Sequence, residues 1–402
     1  MARYNKKKLL LSLLGLVATP VKAWDHVADS GELSRIIKLA EQPILVAFVK
    51  ENEKASTALE TEWTNAVSSA SPDQNLLSID CSKPETEKDC ALQKQMPAYP
   101  SIWLLEKERP PVQYRGAKRS DAFLHYLYRK SRQPVTEVTD EEELKTFKVS
   151  DETVFVAYLS KEDREGREEF EDVARAFEEE FSFGIVLLDD DDDNAAASEQ
   201  EQQQQPGTVV AYKLVDGDTV VRKGGIGDDV KEFEGWVKTA SRPVISELTV
   251  LNRERLLERG WPMVYLFGST EAERQKLRKT LYKFARDYYE SLTTVIANPF
   301  DWPNLMENLG LDPTAFPAGA VHQLSKDRIY PYPKGQPLTP GAIQNWGMDI
   351  YNGRVKPWTR PGAVPASNED VKPTTRKAAT RKISMVNNIP GVKIKIAGRD
   401  EL

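Results

Sequence analysis

The chain has 402 residues and carries 55 basic against 62 acidic side chains, a formal net charge of −7. That balance does not suggest a nucleic-acid-binding surface. Only two cysteines and three scattered histidines are present, none at zinc-ligand spacing, so no metal site or other cofactor is expected.

The N-terminal segment has the parts of a secretory signal. Lys6, Lys7 and Lys8 make a positive start, and Leu9 to Val17 make an apolar run. Val21-Lys22-Ala23 ends on a small residue suited to cleavage before Trp24, giving a signal peptide over 1–23. The apolar run is about half the ~20 residues a spanning helix needs, so no membrane span is expected. About 380 residues then remain, enough for two or three domains. In a secreted chain, Cys81 and Cys90 read as one structural disulfide, the alternative being two buried free thiols. No Asn-x-Ser/Thr sequon occurs, so N-glycosylation is not expected.

One pattern then repeats at intervals of about 110 residues, a domain-sized period. Each copy opens on a short apolar strand: Ile44 to Phe48, Val154 to Tyr158, and Met263 to Phe267. The lack of polar alternation predicts strands buried on both faces. An amphipathic helix follows. Phe170, Val173, Ala174 and Phe177 share one face in the second copy, and Leu277, Leu281, Phe284, Ala285 and Tyr288 do so in the third. Thr270 and Glu273 have capping-box spacing ahead of that helix. A second strand comes next, at Leu76 to Asp80, Gly184 to Leu188 and Thr293 to Ala297. A turn, a further strand and a closing helix complete each copy; two such closing helices are Asp121 to Arg129 and Val230 to Thr239. Strand–helix–strand followed by turn and strand is an α/β plan with a mixed central sheet.

The order resembles the thioredoxin fold, and specific residues tighten the likeness. Tyr99-Pro100-Ser101 stands where thioredoxin-fold proteins carry a cis-proline, and Phe316-Pro317 repeats that position in the third copy. Tyr114-Arg115-Gly116 resembles the Tyr-x-Gly turn of the protein disulfide-isomerase family, and Gly353 to Pro357 resembles the close of that family's third domain. The resemblance implies three tandem thioredoxin-like domains, over 24–133, 134–242 and 243–358, arranged like the family's a, b and b′ domains.

The same resemblance shows what is replaced. The family sets Cys-Gly-His-Cys at the start of the first domain's helix, where the helix dipole lowers the thiol pKa. Glu53-Lys54-Ala55-Ser56 occupies that position here, so Glu53 and Ser56 stand as degenerate catalytic positions and no catalytic residue is expected. A lone serine lacks the thiolate chemistry of disulfide exchange. Ala47 and Ser78 replace a buried glutamate and a lysine that move protons in active members. Cys81 and Cys90 resemble a structural bridge found in some relatives, the sharper alternative being a regulatory, reducible one. In the family the third domain holds unfolded clients. The matching residues here are Phe267, Trp302, Leu305, Met306 and Leu309, with core packing as the competing account of the same residues.

Three polar segments complete the chain. Asp189 to Pro206 is an acidic insertion in the second domain, expected to be a solvated loop, with calcium buffering as the alternative. Residues 359–402 read as a flexible basic tail, in which Val392 to Ile396 alternates like an edge strand. The chain ends Arg399-Asp400-Glu401-Leu402, which resembles the KDEL/HDEL retrieval address of the endoplasmic reticulum. The expectation is a lumenal, redox-inactive chaperone or adaptor. Its expected partners are unfolded or misfolded secretory proteins, the retrieval receptor and other lumenal folding enzymes. The alternatives are a structural subunit of a lumenal enzyme complex and a residual disulfide isomerase.

Overall fold

The structure, a computed structural model, describes residues 30–90, 98–188, 204–224 and 230–359. The expected signal peptide, most of the acidic insertion, the tail beyond Thr359 and the retrieval signal lie outside these residues. All described residues belong to one compact unit. No helix among them is long and apolar enough to cross a membrane.

Three mixed sheets follow one another along the chain and define three lobes. The first lobe runs α1 (Ser30–Leu39), β1 (Ile44–Val49), α2 (Lys54–Ser69), β2 (Asn75–Asp80), β3 (Ser101–Leu105), β4 (Val112–Gln113) and α3 (Ser120–Lys130). The second runs β5 (Val135–Glu137), α4 (Glu141–Lys148), β6 (Thr153–Ser160), α5 (Arg164–Phe177), β7 (Ser182–Leu188), β8 (Thr208–Lys213), β9 (Asp218–Lys223) and α6 (Val230–Ala240). The third runs β10 (Ser246–Glu247), α7 (Arg253–Glu258), β11 (Met263–Phe267), α8 (Glu271–Asp287), β12 (Thr293–Ala297), α9 (Leu305–Asn308), β13 (Ala318–Gln323), β14 (Arg328–Pro331) and α10 (Pro340–Tyr351).

The sheet orders are β2-β1-β3-β4, β5-β7-β6-β8-β9 and β10-β12-β11-β13-β14. In each, the opening apolar strand pairs in parallel with the strand after the helix and antiparallel with the next one. This is the thioredoxin plan, three times in tandem.

The strands are apolar throughout because both of their faces are covered. Alternate residues divide between two cores. In β1, Leu45, Ala47 and Val49 pack with Leu59, Trp63 and Phe123 of α2 and α3, while Ile44, Val46 and Phe48 pack toward Leu33 of α1. In β6, Phe155, Ala157 and Leu159 meet α5 and α6, and Val154, Val156 and Tyr158 meet α4. In β11, Val264 and Leu266 meet α8 and α10, and Met263, Tyr265 and Phe267 meet α7 and α9. Each fully buried apolar side chain of this size contributes about 1.5–3 kcal/mol.

Local residues set the element ends. Thr270 caps α8 by accepting from Glu273 N at 3.2 Å. The expected reciprocal bond is displaced by one residue, because the Glu273 carboxylate takes Ser269 N and Oγ, each at 2.8 Å. Tyr114 donates its buried hydroxyl to Ala117 O at 2.7 Å, and a Cβ at Gly116 would lie 2.6 Å from that hydroxyl. The Tyr-x-Gly turn therefore needs its glycine. Gly310 has φ 72°, and a Cβ there would strike the Trp358 ring at 2.6 Å.

Candidate functional site

The start of α2 holds Glu53-Lys54-Ala55-Ser56, the stretch expected from the sequence to be a degenerate redox position. Asn52 lies in the left-handed region at φ 67°, which asparagine tolerates, and turns the chain into Glu53. Glu53 is the N-cap of α2. Its Oε2 accepts from both Ser56 N and Ser56 Oγ at 3.1 Å. Ser56 is buried, and its Oγ accepts from Lys50 N at 3.2 Å. A helix N-terminus carries unpaired N–H groups and partial positive charge. A thiolate would use both. Here a carboxylate has taken them, and the serine hydroxyl is spent on a turn.

Ala47 and Ser78 are both buried and sit opposite each other in the parallel β1–β2 register. A glutamate–lysine pair would need charge at this place; small side chains stand there instead. Cys81 and Cys90 form a disulfide with a Cα–Cα distance of 5.9 Å, so the chain's two cysteines are joined to each other. The Tyr99–Pro100 and Phe316–Pro317 peptide bonds are both cis.

The five residues singled out in the third lobe come together in one apolar cluster. Phe267, Met306 and Leu309 are buried to 0%, 1% and 2% exposure, among Tyr265, Val295 and Ala297. Leu309 ends α9 as its C-cap. Trp302 and Leu305 are only partly buried. Trp302 donates Nε1–H to Leu248 O at 3.2 Å, and the Arg253 guanidinium lies 5.9 Å from its ring centre. Trp302 and Leu305 are thus the members of this group that reach solvent, and the other three form the wall behind them.

A family model described as a thioredoxin-like domain matches residues 159–349. Protein disulfide-isomerase of Aspergillus niger is 25% identical over 372 residues, covering 90% of this chain and 68% of that protein. The chain is thus similar to protein disulfide-isomerases over most of its length. It has no Cys-x-x-Cys motif. Endoplasmic reticulum resident protein 44 of Bos taurus is also similar, at 25% identity over 86% of this chain and 84% of that protein. Among solved structures, the bb fragment of ERp72 aligns with 56% of this chain and 100% of its own length, at 17% identity and a TM-score of 0.44.

One feature of this disulfide-isomerase relative has no signal in the sequence. Arg119, 5% exposed, enters from the first lobe ahead of α3 and meets carboxylates of all three lobes. It binds Asp121 of its own lobe at 2.7 Å, Glu152 of the second, and Glu247 of the third at 2.9 Å. Burial alone would lower its pKa, but Glu247 and Asp121 reverse this and hold it above the usual guanidinium range. Lys118 adds a 2.7 Å contact to Asp301, and Arg255 binds Glu180 through two bonds of 2.8 and 3.0 Å. A cavity of about 450 Å³ lies at this junction, bordered by Arg129, Asp151, Glu179, Arg242 and Glu247. Asp151 is almost fully buried and accepts from Arg129 at 2.5 Å and Ser182 at 2.9 Å. His125 Nδ1 lies 3.8 Å from it, buried and without a hydrogen-bond partner.

Proposed function

We propose that this chain is a redox-inactive, protein disulfide-isomerase-like chaperone or adaptor of the endoplasmic reticulum lumen, which holds unfolded clients on its third lobe. The observation that carries the reading is the Glu53–Ser56 pair. A carboxylate and a buried serine occupy the helix start that a reactive dithiol would need. Both cysteines of the chain are joined in one bridge on another segment. Disulfide exchange requires an attacking thiolate, and this helix start has none to offer.

Four further features support the lumenal and client-holding parts. The N-terminal segment reads as a secretory signal, and the chain ends Arg-Asp-Glu-Leu. One similar protein bears the name endoplasmic reticulum resident protein. Trp302 and Leu305 put apolar surface at the rim of a packed third-lobe core, which suits contact with exposed apolar segments of a client.

The test is binding of a permanently unfolded, carboxymethylated client to the full chain, beside Trp302→Ala and Leu305→Asp. Wild-type binding that both variants lose, with circular dichroism unchanged, is the expected result. Unchanged binding by folded variants would remove the third-lobe assignment. An insulin-reduction rate above buffer would overturn the redox-inactive part.

A further inference from the structure

Two arginines at the seam of the second and third lobes are short of anionic partners. Arg242 follows α6, and Arg259 follows α7. The Arg242 guanidinium lies 3.8 Å over the Tyr289 ring, and that of Arg259 lies 3.8 Å over Trp261. Arg242 is also 5.9 Å from the Trp261 ring centre. Both Nη2 atoms approach the same carbonyl, Tyr289 O, at 3.4 and 3.5 Å. The Tyr289 hydroxyl donates back to Arg242 O at 2.9 Å, and Arg259 Nη1 donates to Thr293 Oγ1 at 3.0 Å. The pair is therefore held in place by neutral groups.

Its charge is poorly matched. A guanidinium has five N–H donors. Arg242 Nε is buried and without a hydrogen-bond partner. Glu290 lies 3.6 Å from Arg242, but its side chain is 81% exposed. Among the described residues, no carboxylate lies within ion-pair distance of Arg259. Burial and the neighbouring Arg242 charge pull the Arg259 pKa down to about 10. Both arginines border the junction cavity. Several acidic groups of that cavity are engaged elsewhere: Asp151 with Arg129, Glu179 with Lys130, Glu180 with Arg255 and Glu247 with Arg119. Glu258 also borders it, and among the described residues it pairs with neither arginine.

We propose that Arg242 and Arg259 form a binding site for a small oxyanion, a phosphate or a carboxylate, at the seam of the second and third lobes. Stacked, planar guanidinium groups present parallel donors matched to such oxygens. The proposal does not depend on the chaperone reading.

The experiment is calorimetric titration of the full chain, at constant ionic strength held with chloride, with inorganic phosphate in one arm and glutarate in the other. Saturable one-to-one binding in at least one arm is expected, and the responding arm identifies the oxyanion. Arg259→Gln should weaken it by about tenfold or more, the loss of one charge-assisted pair. Glu290→Ala removes the competing carboxylate and should tighten binding about two- to fivefold, a gain that misfolding would not produce. No saturable binding in either arm overturns the proposal. So does wild-type affinity retained in a folded Arg242→Gln, Arg259→Gln double variant.

Discussion

Arg119 Nε donates to Glu247 Oε2 at 2.9 Å, joining residues 128 apart in sequence. The same guanidinium also binds Glu152, so one side chain ties the first lobe to both others. Removing one partner of a buried ion pair leaves the remaining charges uncompensated. Arg119→Ala is therefore expected to destabilise the protein by about 3–5 kcal/mol. Urea denaturation measures this. A loss under 1 kcal/mol would mean that the lobes hold together by other contacts.

Glu53→Ala removes the carboxylate that caps α2 and should cost about 0.5–2 kcal/mol. The companion experiment installs a dithiol, Glu53→Cys with Ser56→Cys. These cysteines would sit at the helix N-terminus, where a thiol pKa falls. When both are reduced, the double variant should consume two more equivalents of thiol reagent than the wild-type chain, and it should reduce insulin slowly. Ala47 and Ser78 supply no proton relay to speed it. A fully unreactive pair would show that the helix start is not accessible to disulfides.

Leu309→Ala should behave as a core mutation, since Leu309 is 2% exposed. Truncating a buried leucine costs about 2–5 kcal/mol. Leu305→Ala, at a half-buried neighbour, should cost well under half of that. Thermal unfolding of the two variants side by side distinguishes them, and equal losses would contradict the burial described.

Burial pushes the His125 pKa below its ordinary 6.5, against the pull of Asp151 and Asp121. Arg119 and Arg129 push the same way as burial. Below pH 6.5 the unfolded chain takes up a proton that the folded chain does not, so the unfolded state binds more protons. Stability should then fall as pH drops from about 6.5 toward the depressed folded value. His125→Gln should flatten this part of the pH–stability curve. An unchanged slope between pH 6.5 and 5.5 would mean that another group carries it.

Reducing Cys81–Cys90, which closes a loop of sequence separation 9, should cost about 2–3 kcal/mol. Chemical denaturation with and without reductant reports the difference. A smaller effect would indicate that the reduced loop keeps its structure in the unfolded state.

Much of the fold was legible because its signals are local. Apolar runs without alternation predicted two-faced burial, and β1, β6 and β11 divide their side chains between two cores accordingly. The Met263–Phe267 and Thr293–Ala297 strands have the expected limits. The candidate site was legible in part. The apolar pattern that groups Phe267, Trp302, Leu305, Met306 and Leu309 does not separate a pocket wall from a core. Exposure separates them, and exposure depends on what α7 and β12 bring against them.

The repeated α/β unit, the polar Glu53-Lys54-Ala55-Ser56 start of α2 and the turn at Tyr114-Arg115-Gly116 could be read from the chain alone. Each rests on neighbours within a few residues, where backbone geometry and hydrogen bonding are short-range. Folding alone brings Glu152 and Glu247 onto Arg119 and sets Arg242 and Arg259 on one carbonyl. Along the chain these are ordinary charged residues on helix and strand ends. Their partners are chosen by how three lobes pack, and electrostatic energy depends on distance and burial in space.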